Sequence, residues 1–491
     1  MSDQRRSVCD QRGVTTLRES AGLGSNPDRK TGLLDRAIGV VLLAISCVPA
    51  VVPARPVAVA APIEVWVDAS GAPDGDGSVN RPLKVLVPVK GAVMHLRSGL
   101  YEGPFVLPDG AQLVGHGEVV LHSAGEVTVT AEGAAGLEGL SVQGGQVGLL
   151  GLGALTLRRV HFSGHRRAAV EARVALTLDD AVFDGTVPGT KGVVLTERAD
   201  ARLEKVRFTG AFSRAIEATK ATLDAEDLQV EGPATALHLS GGAAHVRKLS
   251  VAGGSGPGVF TSGGSLTLTD AAVNGHEFGL QAKKTKLSVT RFVSRRVTHE
   301  GIAALECTGT LAQVELEQSA MYLENSTLSV SGLKLRQGRG AGILIRHGVV
   351  KLDEVTIQNV RAEGGTGGDA VEIRDADVEA RRLSIHDVAG MGVFATSSAT
   401  VKLDTFSCER CRIGALVAEN EAVVTVKGMT TKGGEGPAVA ALAHGTVKLD
   451  GADLGGSQAP IWAECDEGAR VTVKHLRSTV SQPPTGCILR E

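Results

Sequence analysis

The sequence predicts an all-β chain wound as a solenoid, and three observations predict it. First, one unit recurs along most of the chain: a short apolar strand opening on Gly or Ala, a turn, then a longer alternating strand ending near Asp or Lys. Copies are Gly392-Val393-Phe394-Ala395 with Thr400-Val401-Lys402-Leu403-Asp404, Ala438-Val439-Ala440-Ala441 with Thr446-Val447-Lys448-Leu449-Asp450, and Ala215-Ile216-Glu217-Ala218 with Ala221-Thr222-Leu223-Asp224. Second, the copies recur at about 22 residues and alternate with the two-residue period of strands, which marks a β-solenoid. Third, 63 glycines accompany only 3% aromatics. Stacked coils want small or β-branched residues inside and Gly at corners where positive φ or close backbone approach is needed.

A solenoid lengthens without founding a new core, so 491 residues are compatible with one β-domain. The formal charge of −3 offers no basic stripe and argues against a nucleic-acid partner. Residues 1–36 are polar, Arg-rich and aperiodic, and are expected to be disordered or to reflect a gene start placed too far upstream. Residues 37–60 read as an export signal. An apolar block from Ala37 to Val52 follows Arg29, Lys30 and Arg36, contains Pro49, is short for a membrane span, and precedes the small residues Ala58-Val59-Ala60. Leu43-Ala44-Ile45-Ser46-Cys47 loosely resembles a lipobox, which makes a lipid anchor at Cys47 the alternative to cleavage. The expected location is periplasmic, outer-membrane surface or extracellular.

Residues 61–120 change in character. They carry Val65-Trp66-Val67-Asp68, Gly71-Ala72-Pro73-Asp74-Gly75-Asp76-Gly77-Ser78, Asn80-Arg81-Pro82-Leu83, Gly99-Leu100-Tyr101-Glu102-Gly103 and Val114-Gly115-His116-Gly117. This order resembles the opening of secreted right-handed parallel β-helix proteins of the pectate-lyase-like superfamily, in which a strand and an Asp/Gly-rich loop precede a capping element. The resemblance implies a right-handed parallel β-helix behind an N-terminal cap. It spans the capping segment closely and the rest of the chain through its period. Asp68, Asp74 and Asp76 supply clustered hard oxygen ligands suited to calcium, although Gly-Asp-Gly is equally a plain turn.

The helix proper is assigned to 121–491 as about fifteen coils, with the Trp66 strand as front cap and Cys465–Glu491 as rear cap. Cys465 and Cys487 stand about one coil apart, so in an exported protein a disulfide between them would clamp the open end. Cys408-Glu409-Arg410-Cys411 lacks the further ligands of a zinc site and the helix N-terminus of a redox site, leaving a local disulfide or two free thiols.

Aligned copies place one outward stripe on the short strand: Glu171, Val194, Glu217, His238, Phe260, Gln281, Ala303, Tyr322, Leu344, Glu372, Phe394, Leu416, Ala440, Trp462. Phe260, Tyr322, Phe394 and Trp462 are candidate anchors for a polysaccharide or an envelope protein; a covering loop or tail is the plain alternative. On the long strand, Asp404, Lys427, Asp450 and Lys474 form a charge-alternating ladder, with Asp179, Asp224 and Asp353 read as further members of the same kind.

Enzymes of the superfamily offer partial likenesses. Asp179-Asp180 and Gly115-His116-Gly117 have shapes found in polygalacturonases, in reversed order and without the basic motif that follows. Gly99-Leu100-Tyr101-Glu102 resembles the opening of pectin methylesterases without their later motifs. A lyase or hydrolase would have to draw on Glu171, Glu217 and His238, or on Arg346, Glu372 and Arg374. The leading expectation is therefore an exported β-helix protein with a non-catalytic binding or structural role at the cell envelope, without a required cofactor. The alternative is a polysaccharide lyase or glycoside hydrolase.

Overall fold

The computed structural model describes residues 63–196, 198–364, 367–455, 460–478 and 486–490. The export signal, Cys47 and the polar segment 1–36 lie outside them. The described chain is a right-handed parallel β-helix without α-helix, its one helical turn being the 3-10 segment Cys465–Glu467. No helix among the described residues is long and apolar enough to cross a membrane.

Each coil contributes a short strand and a long one, and every pairing between coils is parallel and close to in register. Short strands such as Arg214–Thr219 and Thr235–Ser240 stack into one ladder of 17, running from Phe105–Leu107 to Ile461–Ala463. Long strands such as Thr222–Glu231 and Ala243–Ala252 build the second sheet, of 24 strand segments. The coils number seventeen rather than about fifteen because stacking already begins inside the capping segment. There Ile63–Val67 pairs with Ala92–Leu96, and Phe105–Leu107 with Val129–Ala131.

The long strands are split into two limbs by a residue with positive φ. Glycine, the expected corner residue, holds this bend at Gly139, Gly332, Gly428 and Gly451, but Arg159, Asp180, Lys205, Asp227, Lys248, Asp270 and Arg291 occupy it on seven successive coils, with φ of 50–58°. Such a conformation costs an L-residue roughly 1–2 kcal/mol. Their charges alternate in sign without a break, and Arg291 Nη2 reaches Asp270 Oδ2 at 2.8 Å. Pairing one coil with its second neighbour would set like charges together, so the column penalises skipped coils.

Inside, large residues of the second limb face small ones of the short strand. Phe162, Phe183 and Phe208 are in register and stack at 5.0 and 4.6 Å. A Cβ on Gly192 would fall 2.4 Å from the Ala215 carbonyl and 2.6 Å from the Phe208 ring. One on Gly392 would lie 2.5 Å from both the Ala415 carbonyl and Cys408 Sγ. The Gly or Ala opening each copy is thus a steric requirement, since bulk already supplied by the opposite wall leaves no room.

Both coil-end cysteine pairs are bridged. Cys465 and Cys487 form a disulfide with Cα atoms 5.3 Å apart, and Cys408 and Cys411 form a local one at 6.1 Å, both Cys408 and Cys411 being buried. The front is closed by Trp66, which stacks on His95 and His116 at 4.6 and 5.0 Å. At the far end Ile488–Arg490 adds a last parallel strand against Val471–Val473.

Packing of this kind makes two outcomes measurable. Gly192→Val should lower unfolding stability by about 1–3 kcal/mol in a denaturant titration, because overpacking has no cavity to enter. His165 is buried, with Nδ1 against the Gly144 carbonyl, and burial pushes its pKa down to about 4. The unfolded chain, with histidine near 6.5, takes up that proton first as pH falls. This contribution to stability is whole above about 6.5 and is lost towards about 4, a change on the order of 3 kcal/mol. His165→Gln should flatten that part of the stability–pH curve.

Candidate functional site

The outward column of the short-strand sheet gathers the candidate residues because strand alternation sends every second side chain outward and the register is continuous. Glu171 pairs with Val194, then Glu217, His238, Phe260, Gln281, Ala303, Tyr322, Leu344, Glu372 and Phe394 follow on successive coils. After Phe394 the partner is Val417, not Leu416, and then Ala440 and Trp462. Leu416 points into the core because Ala415, not Gly414, aligns with Gly392, so this copy starts one residue later than its glycine suggests.

The four aromatics recur at every third coil. Two non-aromatic rungs lie between Phe260 and Tyr322, two between Tyr322 and Phe394, and two between Phe394 and Trp462. Three strand spacings set them about 14 Å apart. Ala303, Val417 and Ala440 between them are small and buried, so the aromatics stand as ridges. Trp462 is 40% exposed, and the other three are half-buried. Phe260 is flanked by His238, stacked on it at 4.7 Å along the ladder, so this ring presents mainly its edge. The Tyr322 hydroxyl donates to Glu324 at 2.6 Å, and Arg346 lies 6.0 Å over the ring. Burial, reinforced by that carboxylate, raises the Tyr322 phenol to about 12.

The carboxylates of the column are all held by cations. Arg167 Nε lies 3.1 Å from Glu171, and Glu217 Oε2 receives Lys191 and Arg214, both at 2.8 Å. Glu372 is paired with Arg374. Burial pushes the Glu217 carboxyl up, but the hydrogen bonds and charges of Lys191 and Arg214 outweigh it and leave the pKa below 4.5. His238 is pushed down, by burial first and then by the charge of Arg214. Glu217 is thus an ionised acceptor and His238 a neutral ring near neutral pH. This face offers an ion-paired acid, not the raised carboxyl of a general acid. The basic partners were missed in the sequence. Arg167 lies in the turn before Ala168–Ala172, whereas Lys191 and Arg214 open their own strands and are register partners. In the sequence Arg167 and Arg214 show only as a cation three or four positions before a glutamate, and Lys191 shows as nothing until the coils are stacked.

The remaining candidates are dispersed. Asp68 accepts from the Ser70 backbone and hydroxyl and pairs with Arg97, whereas Asp74 and Asp76 both turn to Arg81 at 3.1 and 3.4 Å. Among the described residues no three His, Cys, Asp or Glu side chains are grouped to hold a metal. The long-strand ladder continues through Asp353, Arg381, Asp404, Lys427, Asp450 and Lys474. Asp179 belongs to the same outward column by way of Glu204, but Asp224 does not: Glu226 fills its coil's place, and Asp224 sits two residues earlier beside Arg202 and His245.

Fold and face together define a parallel β-helix protein whose short-strand sheet carries an aromatic and ion-paired column. No protein-family model matches the chain, and no curated protein matches it. Among solved structures it is similar to the catalytic unit of a GH87 α-1,3-glucanase from Streptomyces thermodiastaticus, with 13% identity, 82% of this chain and 71% of that one covered, and a TM-score of 0.30. Tailspike protein 3 of bacteriophage CBA120 shares 10% identity over 86% and 62% of the two chains, TM-score 0.23. The A-module of the Azotobacter vinelandii mannuronan C-5 epimerase AlgE4 shares 14% over 80% and 91%, TM-score 0.15. At such identities and scores the chemistry of this chain has to be argued from its own residues.

Glu217→Gln is expected to cost about 1 kcal/mol of stability near pH 7, since the two cations lose their shared partner on a partly screened face. The folded carboxyl titrates below its ordinary value, so the difference should persist above about 4.5 and fade as pH falls beneath it. Parallel denaturation of both proteins at pH 7 and in the acid range would measure it.

Proposed function

We propose that this is an exported β-helix protein whose short-strand face binds a polysaccharide at the cell envelope without turning it over. The observation that carries the reading is the aromatic recurrence at every third coil on one half-exposed column. A few regularly spaced aromatics, with small buried rungs at Ala303, Val417 and Ala440 and half-buried ones at Gln281, Leu344 and Glu372, suit an elongated ligand touching several coils at once. Ion pairing of Glu171, Glu217 and Glu372 favours binding over acid–base chemistry on this face. Export is supported by the apolar block before Ala58-Val59-Ala60 and by two disulfides, which persist in oxidising compartments. A second reading, an envelope protein as ligand, draws on the same ridges, because aromatic side chains also anchor protein interfaces.

The test offers purified full-length chain a panel of acidic and neutral polysaccharides, with and without calcium, scoring retention and the release of reducing or unsaturated ends. Retention without release is expected. Phe394→Ala combined with Trp462→Ala should weaken retention about tenfold or more while leaving the unfolding midpoint within a few degrees. Retention that survives the double substitution, or release of chain ends abolished by Glu217→Gln, would refute the reading.

A further inference from the structure

The second limb of the long-strand sheet, a different face, holds a constellation that the binding reading does not use. Ser384 and His386 are two residues apart on Asp377–Val388, so both point outward. Glu409 is the register partner of His386 on the next coil, and Ser407 that of Ser384. Ser384 Oγ lies 2.8 Å from His386 Nε2, and His386 Nδ1 lies 3.5 Å from Glu409 Oε2. Ser407 Oγ donates to Ser384 Oγ at 3.1 Å.

These contacts allow a proton arrangement suited to catalysis. With Ser384 accepting from Ser407 and its own proton pointed at Nε2, that nitrogen is the unprotonated one and Nδ1–H faces Glu409. A nucleophile within hydrogen-bond reach of a base, and a base turned by a third group, is the diagnostic arrangement of an activated serine. All four groups are half-buried, with His386 and Glu409 each 30% exposed at the side chain. Glu409 is shared with Arg410 Nη1 at 2.5 Å and Lys432 at 3.9 Å. Arg410 in turn is held by Asp387.

We propose that Ser384, His386 and Glu409 form a hydrolytic triad acting on an O-acyl ester. Ser384 Oγ bonds to the acyl carbon while its proton passes to His386 Nε2. The C–O bond to the alcohol breaks as that proton moves on to the departing oxygen, leaving an acyl-serine. Water then gives a proton to His386, attacks the acyl carbon, and the acid leaves as Ser384 regains its proton. On a sheet face the backbone amides are committed to neighbouring coils, so oxyanion donors must be side chains. Thr356 and Gln358, register partners of Ser384 and His386 on the preceding coil, supply an uncharged hydroxyl and amide there. An open face with single-residue rungs suits a small acyl group displayed on a large molecule.

The experiment treats the full chain with a fluorophosphonate reporter and, separately, follows p-nitrophenyl acetate turnover across pH. One adduct per chain mapping to the Ser384 peptide is expected, with labelling and turnover sharing one pH dependence. Ser384→Ala should remove the adduct, and His386→Ala should slow labelling about a hundredfold or more. Glu409→Gln, a change at a positioning residue, should lower kcat and move the pH profile while KM changes little. Ser384→Cys provides a second reading: carbamidomethylation of its new thiol by iodoacetamide, with loss of iodide, should depend on His386. No adduct on the unaltered chain, an adduct that survives Ser384→Ala, or thiol labelling of the Ser384→Cys protein that is indifferent to His386→Ala would each overturn the proposal.

Discussion

Everything in this fold depends on one spacing. Coils meet through backbone hydrogen bonds between parallel strands about 4.8 Å apart, so each side chain touches the same position on the coils before and after it. No coil can bury its own face, and the chain is stable only as a stack. A residue must therefore be compatible with two neighbours of its own column before it is compatible with anything else. The alternating charges at the bend, the phenylalanine stack and the small-residue column opposite it are three answers to that demand. One answers with Coulomb attraction, one with ring stacking, and one with empty volume.

The same constraint shapes what chemistry a face can carry. Because amides and carbonyls are spent on neighbouring coils, functional groups on a sheet face are side chains alone, arranged on a lattice of about 4.8 Å along the stack and about 7 Å along a strand. Groups in contact are then ladder neighbours or residues two apart. Glu217 meets its cations because Arg214 opens its own strand and Lys191, the register partner of Arg214, opens the strand of the preceding coil. Ser384 and His386 are two apart, and His386 and Glu409 are ladder neighbours. Both clusters use the only short distances the lattice allows.

Much of this was legible beforehand, for a physical reason. A repeated coil writes its pattern many times, so errors in single copies average out, and every residue of the outward stripe but one falls in register as aligned. The one slip, Leu416 for Val417, occurred where a copy carries Gly414-Ala415 and the small inward residue is the alanine. Asp224 was misplaced because a two-residue offset on a strand preserves facing and so leaves no trace in the alternation. Glycine holds the bend on some coils, as expected, but charged residues hold it on seven successive ones, because cross-coil pairing is invisible until the coils are stacked. Lys191 and Arg214 share a column at the strand starts, but the coils on either side carry Ala168 and Thr235 there, so no repeated charge marks it in the sequence.

The contrast between the two faces turns on how their carboxylates are committed. Glu217 has His238 as its ladder neighbour but receives two cations at 2.8 Å, Lys191 and Arg214, which take up its hydrogen-bonding and its charge. Glu409 also meets two cations, but Arg410 is drawn toward Asp387 and Lys432 stands at 3.9 Å, its side chain 81% exposed. Water screens the outer cation, and an acidic neighbour engages the inner one. Some of the Glu409 field is thereby left to His386, whose Nδ1 it faces. A carboxylate between a half-buried imidazole and screened cations can hold that ring in one tautomer without being neutralised, which is what a base aimed at Ser384 requires.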